Sequence, residues 1–174
     1  MSCTIEPVFV LGIDPGLSRC GYGVVEQSGH KAEAVAIGVI RTPAKAPTAE
    51  RLAWIQQEFV KLIEEHTPDV VAIERVFFQV NAKTAMGVAQ VSGLAMAIGH
   101  SSGAEVVDYT PNQVKEAVAG WGSANKEQMQ RMVQSLLRLP EVPSPPDAAD
   151  AAAVALCHLA HASSRHLAKT SKLS

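Results

Sequence analysis

Residues 8–27 read VFVLGIDPGLSRCGYGVVEQ, two short apolar runs separated by the turn sequence PGLSRC. Apolar runs of this length on either side of a glycine-containing turn predict a β-hairpin with a broad loop. The first run ends in an acid, Asp14, and a carboxylate in a hydrophobic strand is costly unless a partner neutralises it. The stretch therefore predicts the start of a sheet and a residue that requires a functional explanation.

The segments downstream predict an α/β fold built on one mixed sheet. Residues 31–42 alternate in polarity and predict a third, antiparallel strand, and the apolar runs 69–75 and 104–110 are typical of buried strands. Apolar residues at helical spacing predict helices over 49–66, 81–100, 111–119, 126–139 and 147–163. Three strands followed by alternating helices and strands indicate about five strands with helices on both faces.

Length and composition indicate a folded chain with one domain. Of the 174 residues, 47% are hydrophobic and 18% charged, and we expect a single domain over 1–163 followed by a basic, flexible tail, 164–174. The apolar runs are shorter than the roughly 18 residues of a membrane span, and MSCTIEP does not form a signal peptide, so we expect no membrane contact and a cytoplasmic location. Cys3, Cys20 and Cys157 have neither disulfide nor metal-ligand spacing, and we expect reduced thiols.

Four carboxylates stand where the hydrophobic pattern does not explain them. Asp14 ends the first strand, Glu74 ends the strand VVAIE, and Asp147 and Asp150 lie in the otherwise apolar helix PPDAADAAAVAL. A spacing of three residues puts the two helix acids on the same face. Each strand-end acid alone could be a solvated boundary residue, but one shared site explains all four better.

Asp147 also has a structural interpretation, as part of a helix N-terminus. Ser144 would be the N-cap, Pro145 the first helical residue and Asp147 the capping-box residue, where the helix dipole favours an acid. Capping does not explain Asp150, which lies deeper in the helix. On the sequence alone, both interpretations of Asp147 stay open.

Together, the four acids predict a divalent metal site. Clustered carboxylates repel without a cation, and oxygen-only ligands suit Mg²⁺ or Mn²⁺ rather than Zn²⁺. Two such ions about 4 Å apart can clamp the attacking and leaving oxygens of a phosphoryl transfer. His158 lies eight residues, about 12 Å, beyond Asp150, so we expect His158 and the nearby His161 to be packing or surface residues.

A series of motifs extends from Val10 to His161. GIDPG and GYGV are followed by AIERVFF, NAKTAMGVAQVSG, QVKEAVAGWGSANK and DAADAAAVA, and in this order they resemble the RuvC-type Holliday-junction resolvases. The resemblance implies a ribonuclease H-like fold, a homodimer, and metal-dependent paired symmetric nicking of four-way DNA junctions in recombination and repair. It also implies work with a junction-binding protein and a branch-migration motor.

The resemblance assigns the catalytic role to the same four acids. Matched by position, Asp14, Glu74, Asp147 and Asp150 are the family's catalytic carboxylates, which would hold two Mg²⁺ or Mn²⁺ ions. Two divalent ions would also turn the net charge from -2 to a positive value. The slightly acidic composition is therefore compatible with DNA binding.

Five residues are candidates for DNA contact. Lys115 and Lys126 flank the loop GWGSAN and match the family, and Lys126 opens a helix whose N-terminus could meet phosphate. Phe77 could stack on an unpaired base where a junction opens. Arg75 and Lys83 are the only charges between residues 75 and 104, although the family often has an uncharged residue at the position of Arg75. Ordinary solvation is the alternative for each basic residue.

The second predicted helix carries a ladder of small residues that could support a dimer. Ala85, Ala89, Gly93 and Ala97 recur at steps of four, which allows a neighbouring element to approach closely. Packing inside the monomer and contact with a second copy are both compatible with the ladder. Trp121 could likewise contact DNA or anchor its loop.

Two other functional classes compete with a nuclease. A binding module could recognise junction shape without cutting, although the presence of all four acids argues against this. A kinase- or actin-like ATPase shares the GIDPG loop, but such folds generally use two similar domains and 174 residues leave no room for the second. No P-loop pattern is present either.

Overall fold

The computed structural model describes residues 6–75 and 82–170, with side chains for 6–75 and 84–162. The described residues form five strands, β1 (Val8–Asp14), β2 (Arg19–Ser28), β3 (Lys31–Arg41), β4 (Val70–Glu74) and β5 (Glu105–Tyr109). They also form five helices, α1 (Thr48–His66), α2 (Ala82–Ser101), α3 (Pro111–Ala119), α4 (Lys126–Leu136) and α5 (Pro146–Thr170).

The strands form one mixed sheet in the order β3-β2-β1-β4-β5. β2 pairs antiparallel with both β1 and β3, whereas β4 pairs parallel with β1 and with β5. The helices α1 and α2 connect β3 to β4 and β4 to β5. The predicted hairpin, the third antiparallel strand and the mixed five-stranded sheet are therefore confirmed.

Alternation along the strands divides the core between the two faces of the sheet. Val10, Val70 and Ala72 pack with α3, α4 and α5, while Leu11, Ile13, Val71 and Ile73 pack with residues of α1 and α2. Helices therefore cover both faces, as the sequence pattern predicts. Because side chains alternate along a strand, Asp14 and Glu74 are on the same face as α5.

Glycines allow α5 to lie close against the middle of the sheet. A Cβ atom at Gly12 would be 2.1 Å from the carbonyl oxygen of Ala151, and one at Gly21 would be 2.0 Å from that of Asp147. At Gly23 an added Cβ would lie 2.8 Å from the α5 backbone. Any side chain at these positions would push α5 away from β1 and β2.

Three helix ends differ from the prediction. The last helix begins at Pro146, so Pro145 is not its first residue and Ser144 is not adjacent to it. It continues to Thr170 rather than ending at Ser163, because no glycine or proline interrupts the intervening sequence. The predicted end of α4 at residue 139 is also too late, since Arg138 adopts the left-handed region with φ 52°.

No helix in the described ranges is long and apolar enough to cross a membrane.

Candidate active site

Asp14 and Glu74 lie side by side at the ends of two neighbouring parallel strands. Ile13 of β1 is paired with Ile73 of β4, so the next residue on each strand is an acid. Both carboxylates face α5 and are partly buried. The carboxyl ends of adjacent parallel strands therefore place the first two predicted site residues together.

Asp147 and Asp150 reach the same point from the first turns of α5. Gly21 is the partner of Asp14 in the β1–β2 ladder, and it also contacts the backbone of Asp147. The close approach at Gly21 therefore brings the start of α5 over the end of β1. In this position the first-turn location of Asp147 is compatible with a site role as well as with the helix dipole.

The charges of the four acids act on one another. Burial, and to a lesser degree the nearby charges of Glu74, Asp150 and Asp147, together raise the pKa of Asp14 to about 8. Burial and the charge of Asp150 also raise the pKa of Glu74, while a hydrogen bond with Asp14 opposes that shift. The acids thus form one electrostatic cluster in which each negative charge disfavours the ionised form of the others.

Two basic side chains partly neutralise the acidic cluster. Lys126 Nζ lies 2.9 Å from Asp150 Oδ2, and Arg19 Nε lies 3.5 Å from Asp147 Oδ2. The hydrogen bond with Asp150 raises the pKa of Lys126. Among the described residues, no group of three or more Asp, Glu, His or Cys side chains is close enough together to hold a metal ion as the side chains stand. The donor chemistry nevertheless fits Mg²⁺ or Mn²⁺, because every candidate ligand is a carboxylate oxygen.

Two cavities flank the carboxylates. The first, about 300 Å³, is lined on its polar side by Glu74, Lys115, Asn125, Lys126 and Asp150. The second, about 570 Å³, extends from Asp147 along the β1–β2 turn to the start of α1 and α2. We call the second cavity the Arg51 cavity, because Arg19 and Arg51 supply its positive charge. A phosphodiester chain crossing the acids would thus meet basic groups on both sides.

The structure describes three of the five predicted DNA contacts. Lys115 and Lys126 line the smaller cavity beside the acids, and their contact with DNA stays a prediction. Arg75 instead pairs with Asp108 at the end of β5, and both side chains are partly exposed. Phe77 and the side chain of Lys83 lie outside the described residues, so their assignments stay predictions.

The two histidines and two of the cysteines have packing roles. His158 is buried, with Nδ1 3.0 Å from the hydroxyl oxygen of Tyr109, and the ring of His161 stacks on the same tyrosine at 5.4 Å. Cys20 and Cys157 are buried free thiols, and burial raises the pKa of each to about 12. The burial of His158 and the stacking of His161 agree with the predicted packing or surface role of these histidines.

Sequence reasoning identified Lys126 only as a candidate DNA contact, and it did not identify Arg19, Arg51 or the role of the glycines. Arg19 and Arg51 were not singled out, because neither lies in an unusual sequence pattern. The motif GYG, in which Gly23 pairs with Gly12 and Gly21 with Asp14, together with an alanine-rich helix far downstream, is a signal that could have predicted the close approach. These glycines indicate a close helix–sheet contact only when α5 is known to pack on β1 and β2.

Comparisons with known proteins match one family over most of the chain. A family model described as "Crossover junction endodeoxyribonuclease RuvC" matches residues 10–158. A protein of that name from Leifsonia xyli subsp. xyli is 51% identical over 133 residues, which are 76% of this chain and 64% of the relative. One from Natranaerobius thermophilus is 46% identical over 132 residues, which are 76% of this chain and 82% of the relative.

Solved structures extend the similarity to the fold. The Thermus thermophilus RuvC structure matches with a TM-score of 0.82 and 37% identity, over 89% of this chain and 95% of that one. T. thermophilus RuvC in complex with Holliday junction substrate matches with a TM-score of 0.84 and 36% identity, over 89% and 94%. The yeast mitochondrial Holliday junction resolvase Ydc2, at 16% identity and a TM-score of 0.66, shares the fold. The expected ribonuclease H-like architecture is confirmed.

Proposed function

Because the chain belongs to the RuvC family of crossover junction endodeoxyribonucleases, we propose that it resolves four-way DNA junctions by paired symmetric nicks during recombination and repair. The relative from L. xyli is longer than the matched region, and the proposal concerns the nuclease domain that the two share. The observation that carries it is the convergence of four carboxylates from β1, β4 and α5 on one point.

The proposed reaction is hydrolysis of a phosphodiester with two divalent ions at Asp14, Glu74, Asp147 and Asp150. Mg²⁺ or Mn²⁺ bound there would supply charge stabilisation and activation of water. The two strand ends hold Asp14 and Glu74 rigidly, because each carboxylate follows a paired, buried residue. The close contact between α5 and Gly21 fixes the other two relative to them.

Lys115 and Lys126 are proposed to hold the DNA backbone beside the acids. Both line the same cavity as Glu74 and Asp150, and the charge of each lowers the pKa of Glu74. Lys126 forms an ion pair with Asp150. When a divalent cation neutralises Asp150, the flexible Lys126 side chain can instead form an ion pair with a DNA phosphate. Asn125 fixes the start of α4 through a capping box with Gln128, which positions Lys126 as the first helical residue.

We further propose a homodimer, since two symmetric nicks require two sites with related orientations. The predicted ladder on α2 does not form one surface, because Ala85 is buried whereas Gly93 and Ala97 are exposed. Beside these two residues, Met86 and Met96 are 65% and 37% exposed and give α2 an apolar outer face. Sedimentation velocity would test this: Gly93→Arg should convert a dimer to a monomer, and an unchanged sedimentation coefficient would contradict the α2 interface.

The proposed substrate suggests where in the cell the protein acts, and the family resemblance suggests its protein partners. A junction resolvase works where the chromosome is recombined, so we propose a cytoplasmic location. The family resemblance also suggests a junction-binding protein and a branch-migration motor as partners. Co-sedimentation of the purified components on a synthetic junction would test each association.

Cleavage of a synthetic four-way junction tests the nuclease proposal. The junction and a linear duplex of the same sequence are incubated with Mg²⁺, Mn²⁺ or a chelator, and we expect paired nicks in the junction only with a divalent ion. Asp14→Asn and Asp147→Asn should abolish cutting while junction binding persists. Wild-type rates in both variants would contradict the site, and tight binding without cutting in either ion would favour a binding module.

A further inference from the structure

The Arg51 cavity contains a buried cation without a carboxylate partner. Arg51, in the first turn of α1, is only 9% exposed. Its Nε donates to Thr42 Oγ1 at 2.9 Å and its Nη2 donates to Ser18 Oγ at 2.6 Å. None of the ion pairs among the described residues includes Arg51. Burial of a guanidinium away from an anion is costly, so this arrangement needs an explanation.

The free donors of the guanidinium are available to a ligand in the cavity. An arginine side chain has five N–H donors, and the hydrogen bonds of Arg51 to other described residues use two of them. Arg51 also lines the cavity together with Ser18, Arg19 and Thr48. A planar guanidinium with unused donors is the group that best recognises a phosphate.

Two further features favour an anion at this place. Thr48 begins the 19-residue helix α1, and its N-cap, Pro47, makes no side-chain capping hydrogen bond. The first N–H groups of the helix and its positive dipole end thus lie beside Arg51. Arg19, whose side chain is 55% exposed, lines the same cavity and forms an ion pair with Asp147.

We propose that the Arg51 cavity binds a backbone phosphate of the DNA strand being cut, next to the scissile phosphate on the Asp147 side. This inference rests on the proposed nuclease function, because it requires a DNA strand at the acids. The cavity includes Asp147, one of the proposed metal ligands, and its basic groups are Arg19 at the start of β2 and Arg51 in the first turn of α1. The strand would then be held by Lys115 and Lys126 on one side of the acids and by Arg19 and Arg51 on the other.

A scan of neutral phosphate replacements tests the proposal. Single methylphosphonates are placed at each position flanking the cleavage site, and junction binding is measured by fluorescence anisotropy without divalent metal. For the wild-type protein, one replacement on one side of the cleavage site should weaken binding about tenfold. Arg51→Gln should weaken binding of the unmodified junction by a similar factor, and the same methylphosphonate should then cause no further loss.

The salt dependence of binding separates phosphate contact from a purely structural role. Removal of one phosphate contact lowers the slope of log affinity against log salt by about one, so Arg51→Gln should do so. Arg51→Lys, which retains the charge, should keep a slope near that of the wild type. Lys61→Gln on the same helix, where Lys61 pairs with Glu58, is the matched control and should leave the slope unchanged.

Several results would overturn the proposal. One is an equal loss from every methylphosphonate in wild type and Arg51→Gln, and another is lower thermal stability of Arg51→Gln with an unchanged salt slope. If inorganic phosphate raises the melting temperature of the wild type but not of Arg51→Gln while the scan is flat, the cavity binds free phosphate rather than DNA. Because binding is measured without cleavage, failure of the wild type to cut junctions contradicts the nuclease function separately.

Discussion

The contact between Gly21 and α5 leads to a test of how the acids are positioned. In Gly21→Ala the new Cβ atom would lie 2.0 Å from the Asp147 carbonyl oxygen, whereas ordinary contact begins at 3.4 Å. The start of α5 must therefore move by about 1.4 Å. Overpacking of this kind costs about 1–3 kcal/mol of stability. A displacement of about 1 Å of a catalytic group lowers the rate roughly 100-fold.

Urea unfolding and single-turnover cleavage of a four-way junction measure the two effects of Gly21→Ala. We expect a free energy of unfolding lower by about 1–3 kcal/mol and a cleavage rate lower by about 100-fold. Gly122→Ala is the control, because its new Cβ atom would lie 3.4 Å or more from its nearest neighbours, and its stability should stay within about 0.5 kcal/mol. Wild-type stability and cleavage in Gly21→Ala would refute the inference that the glycine contact sets the position of Asp147.

Three further predictions concern charge. The pKa of Asp14 is raised from 3.8 to about 8, so folding favours its neutral form and the metal-free protein should lose stability relative to Asp14→Asn as the pH rises through that interval. Thermal denaturation with a chelator measures this, and a wild type that gains on the variant from pH 5 to 8 would contradict it. Lys126→Gln, which removes the amine paired with Asp150, should lower the salt slope of junction binding by about one; an unchanged slope would exclude a phosphate contact. Asp108→Asn should release Arg75 and tighten junction binding severalfold in an anisotropy assay, whereas unchanged or weaker binding would show that Arg75 does not face DNA.

The sheet and the four acids could be predicted because each has a local sequence signal. Strand alternation, helical spacing and turn residues are properties of short segments, and they identified β1 to β5 in their observed order along the chain. An acid at the end of an apolar run is equally local, which is why Asp14 and Glu74 stood out. Asp147 and Asp150 stood out because the rest of their helix is apolar.

The ion-pair partners of the acids could not be predicted because these pairings depend on tertiary contacts. Arg19 and Lys126 gain partners only when β2 and α4 lie beside α5. In the sequence, Arg51 resembles an ordinary solvent-exposed charge on an amphipathic helix, and only the structure shows that it is buried. The end of α5 was predicted too early, since composition indicated a tail where no helix-stopping residue is present.

Mapping the nicks on a fixed four-way junction tests most directly whether the four acids form one metal-dependent nuclease site. Each strand is labelled in turn, and the products of wild type and Asp150→Asn are resolved to the nucleotide with Mn²⁺ or with a chelator. We predict two symmetric nicks in opposed strands for the wild type with Mn²⁺, none with the chelator, and none for Asp150→Asn although it still binds the junction. Nicks that persist in the chelator, or that Asp150→Asn makes at the wild-type rate, would contradict a metal site built from these carboxylates.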